Sequence, residues 1–198
     1  MIVVKLGGSL LGSAELPLWL STIASNSDGH VVIVPGGGAY ADAVREVQKV
    51  AKFDDAIAHQ LAVLAMDQYG LTLAALEPRL VTARHELEIA ERSWQHRGII
   101  WLPSIMVLAD ENIPQNWDVT SDSLAAWLAT QLNATHLVIV KSVAHAATLS
   151  PQQLAEKGWV DPTFPHFSAS MPCPLSCLGL GEIAKFSAIL RGDVDLMT

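Results

Sequence analysis

A lysine, two glycines and a serine end the first β-rich run of the sequence, and together they could contact a phosphate group. These residues are Lys5, Gly7, Gly8 and Ser9. Glycines at the end of a strand let backbone N–H groups turn towards an anion without a Cβ in the way. The ammonium of Lys5 could meet phosphate charge at the same point. A tight turn with a solvated lysine would explain the same residues, so this segment alone does not decide between the two interpretations.

A second glycine-rich segment, Gly36, Gly37 and Gly38, follows the next strand-like run and precedes a helical pattern. Three successive glycines lose much conformational entropy on folding, which suggests that the backbone must approach a ligand closely. A phosphate at a helix N-terminus would require such an approach. The segment also matches the Gly-x-Gly-x-x-Ala fingerprint of dinucleotide sites, but the required acid should end the next strand. Because Asp54 and Asp55 head a helix instead, an NAD-linked oxidoreductase is disfavoured.

A cluster of polar residues directly before an apolar helix is the third candidate. Its members are Asp118, Thr120, Ser121, Asp122 and Ser123. A helix N-cap needs only one of these residues, such as Thr120 or Ser121. Asp122, near the start of the helix, could hold the lysine that contacts a transferring phosphoryl group.

Alternating strands and helices would position these three segments. Apolar runs of strand length are followed by stretches whose apolar residues recur at helical spacing. Strands are predicted at residues 2–6, 31–34, 80–83, 99–102, 105–108 and 137–140. Helices are predicted at about 14–24, from the triple glycine to about 50, and from about 54, 85, 120, 151 and 182. This alternation is typical of an α/β fold, here a three-layer αβα sandwich with a mostly parallel central sheet.

Composition limits the class of protein and its partners. With 198 residues, 51% of them hydrophobic and 16% charged, the chain is expected to form one domain over residues 1–198. A net charge of −8 disfavours nucleic acid and anionic membranes as partners. Since no apolar run reaches the length of a bilayer and no charged leader precedes the first strand, a cytoplasmic location is expected.

Two regions near the end of the chain are expected to carry no site. Cys173 and Cys177 are predicted to be free thiols, and no further ligands at a suitable spacing lie nearby. No metal-ligating residues are therefore predicted. Residues 161–174, which are rich in Pro and Ser, are predicted to form an extended surface loop.

Taken in order, the three polar segments resemble those of the amino acid kinase family. The matching segments are residues 5–9, 35–38 and 118–122, within a resemblance that covers roughly residues 1–141. The family includes acetylglutamate, uridylate and isopentenyl phosphate kinases. Residues 34–45, 59–70 and 117–126 look most like its small aminomethylfuran phosphate kinase branch, which is linked to methanofuran synthesis in methanogens and also occurs in methylotrophs.

The resemblance implies a kinase that moves the γ-phosphoryl group of ATP, with Mg²⁺, onto a small anionic acceptor. The acceptor would be a phosphomonoester such as an aminomethylfuran-methyl phosphate; a carboxylate, as in acetylglutamate kinase, is the alternative. Positioning and electrostatic stabilisation supply most of the catalysis in such transfers. The resemblance also implies a homodimer that pairs through the long helix.

Individual roles follow from the same resemblance. Lys5 would stabilise the transferring phosphoryl group, and Asp122 would orient the catalytic lysine. The residues lining the phosphates of the nucleotide would be Gly7, Gly8 and Ser9. The residues contacting the acceptor and the γ-phosphate would be Gly36, Gly37, Gly38, Asp118, Thr120 and Ser121. On the long helix, His59 and Asp67 could also contact the acceptor, although a core histidine and a solvated aspartate would fit the pattern as well.

Two segments of the family pattern are absent. An Asp-x-x-Gly segment normally follows the strand after the Asp122 helix, but here that strand leads into Lys141, Ser142 and residues 143–145. The Gly-Gly-Met-x-x-Lys segment, which supplies a second phosphate-binding lysine, is also missing. Lys141 is predicted to replace that lysine, and Ser142 to contact the nucleotide.

These losses affect one part of the chain more than the other. The nucleotide-binding part, roughly residues 111–198, is predicted to be reduced, whereas the acceptor-binding part is assigned to roughly residues 1–110. A protein that binds a nucleotide or metabolite without turnover is therefore the alternative function.

Overall fold

A central sheet of six parallel strands organises the computed structural model, which describes residues 1–142 and 149–192. The strands are β1 (Ile2–Leu6), β2 (Val31–Pro35), β3 (Val81–Ala83), β4 (Ile99–Trp101), β5 (His136–Lys141) and β6 (Leu175–Gly179). Their order is β3-β4-β2-β1-β5-β6, and each neighbouring pair is parallel. All residues of β2 are buried, as expected for a strand that is covered on both faces. The predicted parallel α/β sheet is confirmed.

Helices cover both faces of this sheet. They are α1 (Leu16–Asn26), α2 (Gly38–Ala51), α3 (Asp55–Leu76), α4 (Glu86–Trp94), α5 (Ser104–Ala109), α6 (Ser121–Gln131), α7 (Pro151–Glu156), α8 (Phe164–Ser168) and α9 (Ile183–Arg191). On one face, Trp19 of α1 and Phe186 of α9 have ring centroids 5.1 Å apart within one core cluster. On the other face, Leu128 of α6 and Phe164 of α8 belong to a second core cluster. The three-layer arrangement is therefore confirmed.

Alternation along β1 decides which face its lysine occupies. Val4 and Leu6 belong to the core on the α1 side, whereas Val3 belongs to the core on the α6 side. Successive side chains of a strand point to opposite faces, so Lys5 shares the face of Val3, beneath α6. Lys5 is in register with Ile139 of the neighbouring strand β5, and Lys141, two residues further on, therefore points to the same face.

The long helix α3 supports the loops at the ends of these strands. Asp54 caps it by accepting a hydrogen bond from the backbone N–H of Ile57 at 2.9 Å. About two turns before the other end of the helix, the hydroxyl of the buried Tyr69 donates a hydrogen bond of 3.4 Å to the carbonyl of Gly7. In the described parts of the chain, no helix is long and apolar enough to span a membrane.

Three local predictions need correction. Residues 105–108 lie in α5 and not in a strand, because periodicity cannot distinguish the two in a short apolar run. The segment 161–174 is not an extended loop throughout, since it contains α8 with its fully buried Phe164. β6 was not predicted at all; its sequence, LSCLG, lacks the β-branched residues that usually signal a strand.

Candidate active site

The two glycine-rich segments end neighbouring strands and pack directly against each other. A Cβ atom on Gly8 would lie 2.1 Å from the backbone nitrogen of Gly38, and one on Gly36 would lie 2.4 Å from the backbone nitrogen of Gly8. Gly38 also has a φ of +52°, which side chains rarely allow. The close contact between the segments therefore requires glycine, independently of any ligand.

A buried cluster of two lysines and one aspartate lies beside these segments. The Nζ atom of Lys5 is 2.9 Å from Oδ1 of Asp122, and Nζ of Lys141 is 3.0 and 2.8 Å from its two carboxylate oxygens. Lys5 is only 5% exposed and Asp122 only 4%. Three residues predicted to be catalytic from the sequence thus meet, because β1 and β5 are adjacent and α6 begins above their ends.

Burial and the two ammonium groups act on Asp122 in opposite directions. Burial would raise the pKa of its carboxyl group, but the charges and hydrogen bonds of Lys5 and Lys141 outweigh it and lower that pKa below the ordinary value. Burial and the charge of Lys5 lower the pKa of Lys141, against the opposite effect of Asp122. One carboxylate between two lysines leaves a formal excess of positive charge, which a phosphoryl group could neutralise.

A cavity of about 510 Å³, called here the first cavity, lies next to this cluster. The predicted site residues that line it are Gly8, Ser9, Gly37, Gly38, His59, Thr120 and Ser121. Much of the remaining wall is apolar and includes Val63, Met66 and Leu124. The first cavity therefore combines backbone donors of the glycine segments with an apolar surface.

The cationic side chain of Arg45 also lines the first cavity. The guanidinium of Arg45 lies 4.5 Å from the centroid of the Trp117 ring and 2.7 Å from a carboxylate oxygen of Asp42. The indole N–H of Trp117 donates to Gln48 at 2.8 Å. These contacts fix the guanidinium beside the cavity, where its charge is shared with Asp42, another lining residue.

His59 lines the same cavity from α3, and it is 3% exposed. Its Nδ1 atom lies 3.2 Å from the backbone carbonyl oxygen of Asn116. Burial lowers the pKa of the imidazole, and the hydrogen bond to Asn116 only partly opposes this effect. The ring is therefore neutral at neutral pH.

Apart from Ser142 and the cluster of Lys5, Asp122 and Lys141, four predicted site residues do not line the first cavity. Gly7 and Gly36 lie behind its wall, where they contact the neighbouring backbone and Tyr69. The carboxylate of Asp67 is occupied by Ser104 of α5, at 3.2 Å from its N–H and 2.5 Å from its hydroxyl. Asp118 is exposed to solvent. The structure thus brings neither aspartate to the cavity.

Asp161 supports the start of α6 and was not found from the sequence. Its buried carboxylate accepts hydrogen bonds from the backbone N–H groups of Thr120 and Ser123, both at 3.0 Å, and from the hydroxyl of Thr120 at 2.7 Å. Thr163 donates from its hydroxyl at 2.9 Å. A carboxylate at a helix N-terminus satisfies free N–H groups and stabilises the helix dipole. An isolated acid in the largely apolar sequence GWVDPTF was the one available signal.

A smaller second cavity, of about 200 Å³, has Lys141 of the cluster in its wall. Its other lining residues are Ser142, Leu154, Gly158, Trp159, Val160, Cys177 and Leu178. Ser142, predicted to contact a nucleotide, is thus placed in a cavity beside the cluster. Residues 143–145, where the family pattern is lost, lie outside the described residues.

Comparisons with known proteins identify relatives of this chain. A model of the amino acid kinase family matches residues 1–153. The [5-(aminomethyl)furan-3-yl]methyl phosphate kinase of Methanocaldococcus jannaschii is 33% identical over 146 residues, which span 72% of this chain. The match covers 66% of that relative, just under two thirds of its length.

Solved structures show the same fold. The uridylate kinase of Archaeoglobus fulgidus superposes with a TM-score of 0.70 at 19% identity, over 96% of this chain and 95% of that one. The isopentenyl phosphate kinase of T. acidophilum superposes with a TM-score of 0.62 at 11% identity, again over 96% and 95%. At such identities the likeness concerns the fold.

Proposed function

The chain belongs to the amino acid kinase family, and we propose that it transfers the γ-phosphoryl group of ATP to a small phosphomonoester. One observation carries the proposal: Lys5 and Lys141 converge on the buried Asp122, and two cavities are lined by residues of this cluster or next to it. Lys141 lines the second cavity, and Ser121, next to Asp122, lines the first. A phosphoryl group that passes between the cavities would meet both ammonium groups.

The two cavities differ in size and lining, and this difference supports an acceptor site in the first and a donor site in the second. The first, at about 510 Å³, has the glycine N–H groups and Arg45 to bind the charge of an acceptor, and an apolar wall to contact its body. The second, at about 200 Å³, would take part of the nucleotide, with Lys141 and Ser142 near its phosphates. The second phosphate-binding lysine would thus be Lys141, at the end of β5.

The proposed reaction needs no general base. An oxygen of the acceptor phosphate, already anionic at neutral pH, attacks the γ-phosphorus; the bond from that phosphorus to the β-bridging oxygen breaks, and ADP leaves with the electron pair. Lys5 and Lys141 stabilise the charge on the transferring oxygens, while Asp122 holds both ammonium groups in place. Asp122 itself is not free to take a proton, because both of its oxygens are bound to lysines.

Mg²⁺ is proposed to enter with ATP. Among the described residues there is no group of three or more His, Cys, Asp or Glu side chains that could hold a metal ion. Mg²⁺ in kinases is commonly bound through substrate phosphates and water with few protein ligands, which fits such a site. The ion would balance the charge of the triphosphate.

The acceptor is proposed to be a phosphomonoester of the aminomethylfuran-methyl phosphate type. The name of the Methanocaldococcus jannaschii relative supports this class, and so do the mixed polar and apolar walls of the first cavity. A carboxylate acceptor would equally need no base, and it is the competing choice. Both classes belong in the same assay.

The test is ADP release from Mg-ATP with purified protein and a panel of phosphomonoesters and carboxylates. We expect ADP formation that depends on a phosphomonoester, and a kcat at least about a hundredfold lower in Lys5→Met and in Lys141→Met. Lys49→Met, which removes an exposed lysine of α2 paired with Glu46, is the matched control and should behave as wild type. Undiminished turnover in Lys5→Met would overturn the mechanism, and ATP binding without turnover would favour a binding protein.

We also propose a homodimer that forms through α3. Apolar side chains recur along one exposed stripe of this helix, called here the α3 stripe; its members are Ile57, Leu61, Leu64 and Leu71, each at least 36% exposed. Their spacing of three, four and seven residues places them on one face of a helix. An apolar stripe of this kind is typical of a surface that a second copy covers.

A further inference from the structure

One buried polar atom, on a residue that lines the first cavity, lacks a partner. It is Nε2 of His59, which is buried and has no hydrogen-bond partner among the described residues. A buried acceptor or donor without a partner is destabilising, so such atoms are rare in folded proteins. An unpaired polar atom in a ligand cavity indicates that the ligand supplies the missing group.

The other ring nitrogen decides what that group must be. Nδ1 of His59 lies 3.2 Å from the backbone carbonyl oxygen of Asn116. A carbonyl oxygen can only accept, so Nδ1 carries the ring proton and donates it. The ring is neutral because burial lowers its pKa, and a neutral imidazole has one proton. Nε2 therefore has a free lone pair and can only accept a hydrogen bond.

We propose that His59 is a specificity-determining residue, whose Nε2 accepts a hydrogen bond from an amino group of the phosphomonoester acceptor. The inference rests on the proposed kinase function and names a feature of its substrate beyond the phosphate. The glycine segments and Arg45 line the cavity as possible donors for an anion, and Arg45 is also paired with Asp42, an exposed acceptor of the same lining. His59 adds a buried neutral acceptor. A substrate that carries both a phosphate and an ammonium group matches this pairing.

The experiment compares two acceptors that differ only in the amino group. One is the aminomethylfuran-methyl phosphate, and the other is the same molecule with methyl in place of aminomethyl. Dissociation constants are measured by titration calorimetry, so that the result does not depend on turnover; kcat/KM is measured alongside. For the wild type, we expect the amino compound to bind about tenfold or more tightly, the range for a hydrogen bond to a charged group.

Two variants of His59 separate its ring nitrogens. His59→Asn can still donate to Asn116 from near the Nδ1 position but leaves no acceptor near that of Nε2. His59→Gln keeps an amide oxygen near the Nε2 position and loses the Asn116 bond. We expect the preference for the amino compound to disappear in His59→Asn and to persist in part in His59→Gln. The matched control is His136→Asn, which alters a buried histidine of β5 bonded to Ser176 at 2.9 Å, and it should keep the wild-type preference.

The outcomes distinguish this inference from the kinase proposal. If His59→Asn keeps the full preference, or if the wild type binds both compounds equally, His59 does not recognise the amino group and the inference fails. The kinase proposal is tested separately, by ADP release. If ADP forms with carboxylates only, both proposals fail. If neither compound binds while another phosphomonoester supports ADP formation, the inference about His59 fails and the kinase proposal stands. Selective binding of the amino compound without ADP formation would support the role of His59 and contradict the kinase.

Discussion

At the scale of single residues, Asp161 is what sets the position of Asp122. The catalytic role proposed for Asp122 depends on both lysines reaching it at 2.8 to 3.0 Å. Asp122 sits in the first turn of α6, and the carboxylate of Asp161 binds the backbone N–H groups on either side of it, at Thr120 and Ser123. Asp161 is therefore a positioning residue, which acts on the reaction through the helix terminus.

Replacing Asp161 with Asn should misplace Asp122 without removing it. An amide of the same shape loses the charge and turns two donors towards groups that also donate, so the first turn of α6 must shift. Because small displacements of catalytic groups are costly, we expect kcat to fall about tenfold to a hundredfold. The KM for ATP should stay within about threefold of wild type, since the second cavity keeps its own residues.

Asp110→Asn is the control for this prediction, because Asp110 accepts a hydrogen bond from Trp127 at 3.0 Å and lines neither cavity of the proposed site. Both variants are assayed well below their melting midpoints, so that loss of folded protein does not lower kcat. A normal kcat in Asp161→Asn, with only a lower melting temperature, would show that Asp161 serves stability alone.

At the scale of elements, the glycine segments hold β1 and β2 at a fixed separation. Their backbones approach so closely that a Cβ on Gly36 would lie 2.4 Å from the nitrogen of Gly8. Gly36 does not line the first cavity, whereas Gly8 and Gly38 do. Some glycines of the two segments are thus needed for backbone packing, and others line the first cavity.

The variant Gly36→Ala should lower the stability of the protein. One added methyl group must displace the Gly8 backbone, and overpacking of this kind usually reduces the free energy of unfolding by about 1–3 kcal/mol. Gly181→Ala is the matched control, since a Cβ there would meet nothing within 4 Å; a change within about 0.5 kcal/mol is expected. The free energy of unfolding of each variant is measured by urea titration. If both variants were equally stable, the two glycine segments could move apart without cost, which would contradict the prediction.

At the scale of the whole molecule, the α3 stripe is the surface most suited to a second copy. Leu64 is 43% exposed in the middle of it. The net charge of −8 keeps copies apart unless apolar contact compensates. A carboxylate in the stripe would be desolvated in a dimer, which is unfavourable.

We therefore expect Leu64→Asp to convert a dimer into a monomer. Light scattering after size exclusion should give twice 21.3 kDa for the wild type and 21.3 kDa for the variant. Leu87→Asp, which changes an even more exposed leucine on α4 outside the stripe, should remain dimeric. A monomeric wild type would contradict the proposed pairing through α3.

The chemical segments and most elements could be read from the sequence alone. Apolar runs of strand length and glycines at their ends are local features, and local periodicity reflects which faces are buried. For this reason the positions of β1, β2, β5 and the start of α6, and the residue types of the site, follow from neighbouring residues in the chain. Where the local signal was ambiguous, as in residues 105–108, or lacked β-branched residues, as in β6, the prediction was wrong or absent.

Only the tertiary structure decided which of these residues meet. Lys5 and Lys141 share one carboxylate because β5 lies beside β1, although about two thirds of the chain separates them in sequence. Asp161 caps α6, and Asp67 turns to Ser104 and away from the cavity, through contacts between distant segments. Such contacts depend on the order of the strands and on how the helices pack on the sheet. Neither can be predicted from residue spacing along the chain.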